Sequence, residues 1–455
     1  MQAPTSIPPE ARDPEAGEPR LRRAITGPLL FLFILGDVLG AGVYALVGKI
    51  AGEVGGAIWL PLLVALGFAV LTAASYAELV TKYPKAGGAA VFAARAFKRP
   101  LLSFLVGFCM LSAGVTSAAG LSLAFAGDYL GAIVDLPVLP AALGFLLLIA
   151  ALNARGIRES VGANVFMTVI EVTGLLLVVV LAAMFLTAGQ GAPERVLQFG
   201  PAVSPAAGVL GAALLAFYSF VGFEVSANVA EEVRDVSRVY PRALFGALFA
   251  AGAIYMLVGV AASVVLPPNM LASSSAPLLD VVRATDYGVP PRLFAFVALT
   301  AVANGALLTM VMASRLAYGM AEEGLLPSPL GRLLPRRRTP GVAIVVTTLA
   351  AMALAATGTL AALAETVVLL LLLVFISTNL AVLVLRRDRV AHSHFRTPTA
   401  LPVLAILSCF VLLSQQSAGT WLRAGLLLGA GAVLHIAMRG RLGRVRGELP
   451  VSGRV

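Results

Sequence analysis

Runs of about 20 apolar residues, the length a helix needs to cross a bilayer, recur along the whole chain between short polar segments. They predict twelve spans: 26–50, 57–81, 101–131, 138–153, 162–187, 205–232, 242–266, 291–321, 341–358, 364–385, 399–417 and 421–438. The polar, Pro-rich start shows no signal-peptide pattern, and residues 1–25 read as a disordered tail. A basic tail, 439–455, follows the last span.

Two spans break their own pattern. Span one carries GDVLGAGVYALVG, residues 36–48, with three glycines and an acid within seven positions. Each Gly costs about 1 kcal/mol against Ala in a helix interior. Span six carries FYSFVGFEVSANVAEEV, residues 217–233, with Gly222 and Glu224 near mid-depth. Irregular backbone in hydrocarbon is tolerated only where it lines a cavity or a site. Breaks five spans apart, at matching places in two halves, point to a transporter with inverted repeats. A half-helix N-terminus offers free N–H groups and a positive dipole to a carboxylate. Unwound carbonyls accept from an ammonium, so a zwitterion such as an amino acid satisfies both. Such glycines also serve close helix packing, which Gly36, Gly40, Gly48 and Gly52 fit.

Composition narrows the class. Hydrophobic residues make up 59% of the 455 and charged residues 12%, half the share of a soluble domain; this is a polytopic membrane protein. The net charge of +10 does not imply nucleic acid, because the basic residues lie in loops. With the N-terminus cytoplasmic, 27 of the 33 Lys and Arg fall in inner segments, 5 in outer ones, and Arg315 in a span. That asymmetry places both termini in the cytoplasm and the chain in the inner (cytoplasmic) membrane. Cys109 and Cys409 lie far apart in apolar spans and suggest neither a disulfide nor a metal site.

Several motifs together resemble the amino acid–polyamine–organocation superfamily. The first-helix core is matched by Gly40-Ala41-Gly42-Val43-Tyr44, and the exit of the second by Glu78-Leu79 with Pro84-Lys85-Ala86-Gly87-Gly88. The sixth helix matches through Phe220-Val221-Gly222-Phe223-Glu224, Ala230-Glu231-Glu232 and Pro241-Arg242-Ala243. SRLAYGMAEEGLLP (314–327) and FRTP (395–398) resemble the exit of helix 8 and the approach to helix 11. The resemblance implies an all-α membrane protein of the leucine-transporter fold. Repeats at 26–187 and 205–385 are inverted, and helices 11 and 12, at 399–438, are peripheral. It also implies a substrate held by the broken helices, at Val38, Gly40, Ala41, Gly42 and Val43 and at Tyr218, Ser219, Phe220, Val221 and Gly222.

Ionisable groups inside a membrane are functional candidates: here Asp37, Glu171, Glu224 and Arg315. Many proton-linked relatives resemble one another in carrying a Lys where this chain has Glu171, after the Gly156-Ile157-Arg158-Glu159-Ser160 lead-in. Glu171 could carry a coupling proton, help hold a cation such as sodium, pair with Arg315, or be a neutral structural group. Glu224 suits a cap on the inner half-helix or a substrate contact. Asp37 suits packing or coupling. Glu231 and Glu232 suit pairing with inner arginines or a gating ion pair. Phe220 and Phe223 could close over the substrate or fill the core. Ser219, Ser226, Asn228, Asn304, Thr309 and Ser314 suit a pocket, an ion site or helix–helix hydrogen bonds.

The expected function is secondary transport of an amino acid or amine by proton-coupled symport, or by exchange. No cofactor is expected, and the oligomeric state is open. A channel is disfavoured by the lack of charge rings or filter loops. An intramembrane enzyme is disfavoured because His392 and His394 lie in a loop and His435 near the end of span twelve.

Overall fold

The computed structural model describes residues 25–84, 88–155, 160–200, 204–335, 337 and 339–447. The N-terminal tail, the Lys85-Ala86-Gly87 motif residues, the Gly156–Glu159 lead-in, Arg336, Arg338 and the last eight residues lie outside the described residues. Those described are helical, apart from loops and two isolated bridges. Span one is α1 (Gly27–Leu39) and α2 (Ala41–Val54), bent by 42° at Gly40. Then come α3 (Trp59–Lys82), α4 (Gly88–Phe97), α5 (Pro100–Ala126), α6 (Asp128–Gly131), α7 (Val138–Arg155), α8 (Ser160–Thr187) and α9 (Pro205–Tyr218). A 3₁₀ segment, Phe223–Glu232, completes span six. The rest are α10 (Val236–Val265), α11 (Pro268–Ser273), α12 (Pro277–Thr285), α13 (Pro291–Glu322), α14 (Gly341–Thr357), α15 (Leu360–Leu385), α16 (Ala400–Ser414) and α17 (Ala418–Gly447).

All twelve predicted spans are helices here. Spans nine and eleven, α14 and α16, have 17 and 15 residues; at 1.5 Å per residue they reach about 25 and 22 Å, short of a ~30 Å core. The hydropathy pattern also hid three helices in loops: α4 between spans two and three, and α11 and α12 between spans seven and eight.

Helix contacts reveal the repeat that sequence periodicity could not. Spans one and seven pack together (α1 with α10), and so do their counterparts five spans on, six and two (α9 with α3). One with five is matched by six with ten (α1 with α8, α9 with α15), and eight with five by three with ten (α13 with α8, α5 with α15). Four with eight is matched by nine with three (α7 with α13, α14 with α5). Two with seven, three with eight and four with nine are their own counterparts, and all three pack. Because five is odd, matched spans cross in opposite directions, so the repeats are inverted. Spans six and ten are 72% buried by the protein itself, whereas spans four and twelve are 28% and 17% buried; Leu147, Leu148, Leu426 and Val433 on the latter face outward, where lipid is the solvent.

The two breaks are built differently. Gly40 alone separates α1 from α2, while span six loses α-geometry at Tyr218 and continues as ten residues of 3₁₀ helix. An α-helical second half is the sequence expectation, and the structure corrects it. A 3₁₀ run this long is uncommon. Gly222 sits at φ +126°, and a Cβ there would lie 2.8 Å from the Asp37 carbonyl oxygen. A Cβ on Gly42 would lie 2.7 Å from Ser219 Cα. Gly36 abuts Thr168, and Gly48 abuts the Leu271 carbonyl, so these two serve packing. Where the two broken spans end side by side, Ile25 N–H donates to Glu232 O (2.9 Å) and Arg234 N–H to Ile25 O (3.0 Å).

Segments read as inner loops meet at one end. Arg386 donates to both Glu78 oxygens, at 3.1 and 2.9 Å, and its guanidinium also reaches the Thr397 carbonyl and Thr399 Oγ1. Thr397 N–H donates to Glu78 Oε2 at 2.9 Å. The second-helix motif and the FRTP motif are thus two sides of one buried ion pair. Beside it, the Tyr83 hydroxyl donates to Asp388 (2.7 Å), with Arg95 3.2 Å away. The Tyr83 bond, then Arg95, hold the Asp388 carboxyl below the ordinary aspartate range.

Two outcomes follow from this packing. Gly222→Ala places a side chain in left-handed backbone against Asp37 and is expected to cost ~2 kcal/mol or more. Gly40→Ala, whose Cβ would meet nothing nearer than 3.5 Å, is expected to cost less; thermal unfolding of the two variants in detergent compares them. Glu78→Gln leaves the Arg386 guanidinium without its counter-ion and is expected to cost about 3 kcal/mol. The double variant Glu78→Gln/Arg386→Gln should recover part of that loss in the same measurement.

Candidate functional site

The breaks meet at mid-membrane because their glycines let backbone approach backbone. Gly42 faces Ser219, and Gly222 faces Asp37. Val38, Val43, Tyr218, Ser219 and Phe220 are buried, and Val221 is partly exposed. Ala41 contributes the first residue of α2, whose leading N–H groups have no partner within their own helix. In this conformation the breaks are in contact, so a ligand held between them must part Gly42 from Ser219.

A third helix ties the breaks together. The Tyr255 hydroxyl, on α10, lies 2.5 Å from Val38 O and 3.0 Å from Ser219 O. Its ring meets Phe220 edge-on at 5.3 Å. Tyr218 reaches across to Ser117 on α5, with the hydroxyls 2.9 Å apart. In the second half of span one, the Tyr44 hydroxyl donates to the Glu171 carbonyl (3.0 Å), and Tyr129 donates to the Tyr44 carbonyl (2.8 Å).

Glu171 lies at a polar seam between spans one, five and eight. The Asn304 amide donates to Glu171 Oε1 (3.2 Å) and to Asn164 Oδ1 (3.0 Å). Among the described residues, Glu171 Oε2, Asn164 Nδ2 and Asp37 Oδ2 are buried without a hydrogen-bond partner. Asn164, Thr168 and Glu171 are spaced i, i+4, i+7, so one face of α8 presents all three. Asp37 stands within electrostatic reach of both Glu171 and Glu224.

Other candidates are placed differently. Arg315 is exposed and lies eleven residues beyond Asn304 on α13, about 16 Å along the axis. It does not reach Glu171, so of the alternatives for Glu171 the pair with Arg315 falls away: hydrophobic periodicity fixes depth poorly and direction not at all. Glu224 Oε2 accepts from Gly222 N–H at 2.9 Å, capping the break. Phe223 stacks on Phe375 at 5.5 Å and meets Tyr76 edge-on at 5.7 Å, a core position. Of the polar set, Asn304 and Ser219 join the site. Ser226 bonds Phe223 O and lies against Tyr240 Oη, Thr309 bonds Gly305 O, and Ser314 accepts from Asn153. Tyr255, Asn164 and Ser117 were missed. The α8 spacing was a readable signal for Asn164; for Tyr255 and Ser117 only a polar atom within an apolar span was visible.

Comparison with known proteins agrees with this architecture. The family model described as amino acid permease matches residues 27–420. A branched-chain amino acid permease of Bacillus subtilis is 25% identical over 443 residues, covering 92% of this chain and 94% of that protein. The vacuolar cationic amino acid transporter 2 of Arabidopsis thaliana is 31% identical over 386 residues, covering 81% of this chain and 60% of that longer protein. An uncharacterized transporter of Mycobacterium tuberculosis is 28% identical, covering 88% of each. With its inverted repeats and paired broken helices, this multi-pass membrane protein belongs to the amino acid permease family of the amino acid–polyamine–organocation superfamily.

Proposed function

We propose that this chain is a secondary active transporter that takes up amino acids across the cytoplasmic membrane by proton-coupled symport and alternating access, with both termini inside. The observation that supports it best is the meeting of two helix breaks at mid-depth, around backbone groups released from helical pairing. The substrate carboxylate binds at the N-terminus of α2, on the N–H groups of Ala41, Gly42 and Val43, where the dipole is favourable. The ammonium binds at carbonyls of the breaks, Val38 and Ser219 among them. Gly40 and Gly222 are the hinges that let each half-span move, and Phe220 and Val221 face the bound side chain. Relatives named for branched-chain and for cationic amino acids leave both classes as candidate substrates.

The coupling proton is carried by Glu171. An ionised carboxylate in hydrocarbon is costly without a partner, and among the described residues Glu171 has Asn304 on one oxygen and nothing on the other. A proton on Oε2 neutralises it. Proton release toward the cytoplasm then leaves an uncompensated charge beside Asp37, which favours re-orientation of spans one and five.

Gly42→Leu is expected to abolish uptake while the protein still inserts, checked by proteoliposome uptake alongside membrane yield; normal uptake with unchanged KM removes the site from span one. Glu171→Gln keeps the shape but cannot titrate. It is expected to lose uptake driven by an inward proton gradient while retaining substrate exchange, and wild-type uptake should fall as external pH rises. Gradient-driven accumulation retained in Glu171→Gln takes Glu171 out of the mechanism. Uptake that follows a sodium gradient alone moves the coupling to sodium, and exchange alone in the wild type identifies an exchanger.

A further inference from the structure

Helices α5 and α17 lie side by side, and their contacts give the register. Phe104 lies against His435, with ring centroids 4.7 Å apart, and a Cβ on Gly431 would meet Phe108. Numbers rise on one helix as they fall on the other, so the two are antiparallel. One turn further, the register sets Pro100 level with Arg439 and Lys98 level with Arg441. Both helices change character there. On α17, Val433 and Ile436 are 68% exposed, and arginines follow at 439, 441, 444 and 446. On α5, Leu101 and Leu102 are exposed, and exposed Lys98 and Arg99 precede them. Apolar surface giving way to basic surface at one level marks the border between hydrocarbon and headgroups.

A cavity of 410 Å³ opens at that level, lined by Arg99, Pro100, Leu101, Leu102 and Leu105; ligand sites run from about 300 to 1,000 Å³. Leu101, Phe104, Leu105 and Phe108 are spaced i, i+3, i+4 and i+7, so the cavity continues the stripe of α5 that α17 covers further along. The turn that holds the cations is fixed. Lys98 takes left-handed backbone, φ 52°, with its N–H on Ala94 O, and Ser103 N–H donates to Arg99 O. The positive charge is not compensated locally: α4, α5 and α17 contain no Asp or Glu. Arg95 is paired with Asp388, whereas Lys98 and Arg99 have no acidic partner among the described residues. Glu322 and Glu323 stand at the end of α13, which meets α5 where Met320 packs on Gly107, about 200° round the helix from Leu105.

We propose that this cavity binds an anionic phospholipid. The phosphate sits at Lys98 and Arg99, the arginines ending α17 add to the positive field, and an acyl chain starts along Leu101, Leu102 and Leu105. Three leucines under a basic rim suit an amphiphile; they offer a free anion no donor. The site does not depend on which solute is carried.

The protein in neutral detergent is titrated with dioleoyl phosphatidylglycerol and with dioleoyl phosphatidylcholine, and bound lipid is counted by native mass spectrometry. The wild type is expected to prefer the anionic lipid by about tenfold; equal affinity overturns the proposal. In Lys98→Gln/Arg99→Gln the preference should fall below about threefold; a full preference there overturns it. Arg238→Gln/Arg242→Gln removes the same charge from exposed positions on α10 and should leave the preference intact; an equal loss shows diffuse attraction and overturns the site. Leu102→Trp fills the cavity at constant charge and should weaken the anionic lipid about tenfold; unchanged affinity overturns the site. Displacement by excess inorganic phosphate identifies an anion site without a lipid, which also overturns it. If a variant does not fold, the wild-type lipid preference and the phosphate competition still decide.

Discussion

A backbone group in hydrocarbon must find a partner, and the centre of this protein is where the helices fail to supply one. Everything else in the site answers that demand. Glu224 takes the N–H of Gly222, Tyr255 takes the carbonyls of Val38 and Ser219, and the leading amides of α2 are left over. The breaks approach each other only because Gly42 and Gly222 have no side chain to interpose. The released groups are uncharged backbone amides and carbonyls, and the proposed zwitterion site draws on both kinds.

The same constraint explains the rigid surroundings. Spans six and ten are the most buried of those measured, and the unbroken α5, α10 and α15 enclose the breaks. Aromatic packing of Tyr76, Phe223 and Phe375 fixes the 3₁₀ part of span six. At one end of the bundle, the Glu78–Arg386 pair joins span two to span ten and to the FRTP segment. A motif on one repeat and a motif on the other are thereby a single contact. The half-spans next to Gly40 and Gly222 are joined at one end by the backbone pairing of Ile25 with Glu232 and Arg234.

Polar groups at mid-depth divide by whether they are satisfied. Ser226, Thr309 and Ser314 close on helix neighbours and are structural. The seam of Asn164, Glu171 and Asn304, with Asp37 beside it, keeps open valences. In low dielectric an open valence is costly, and the proposed coupling proton on Glu171 would relieve it.

By itself the sequence determined the membrane class, the number and order of spans, and the two breaks, because apolar length and glycine placement are local properties that no packing can override in lipid. It also marked Glu78 and FRTP, Glu171 and Glu224 as unusual. Tertiary structure alone decided what these residues touch. Hydropathy averages over the faces of a helix, so it could not show that Arg315 lies out of reach of Glu171, that Phe223 belongs to the core, or that Thr168 is the neighbour on which Gly36 packs. It could not reveal Tyr255, since one hydroxyl in an apolar span carries no periodic signal. The 3₁₀ geometry of span six is likewise not announced by its composition, whereas the short α14 is, bounded as it is by Pro340 and Gly358. Contacts between residues over a hundred positions apart are not written in any local pattern, and the site is made of them.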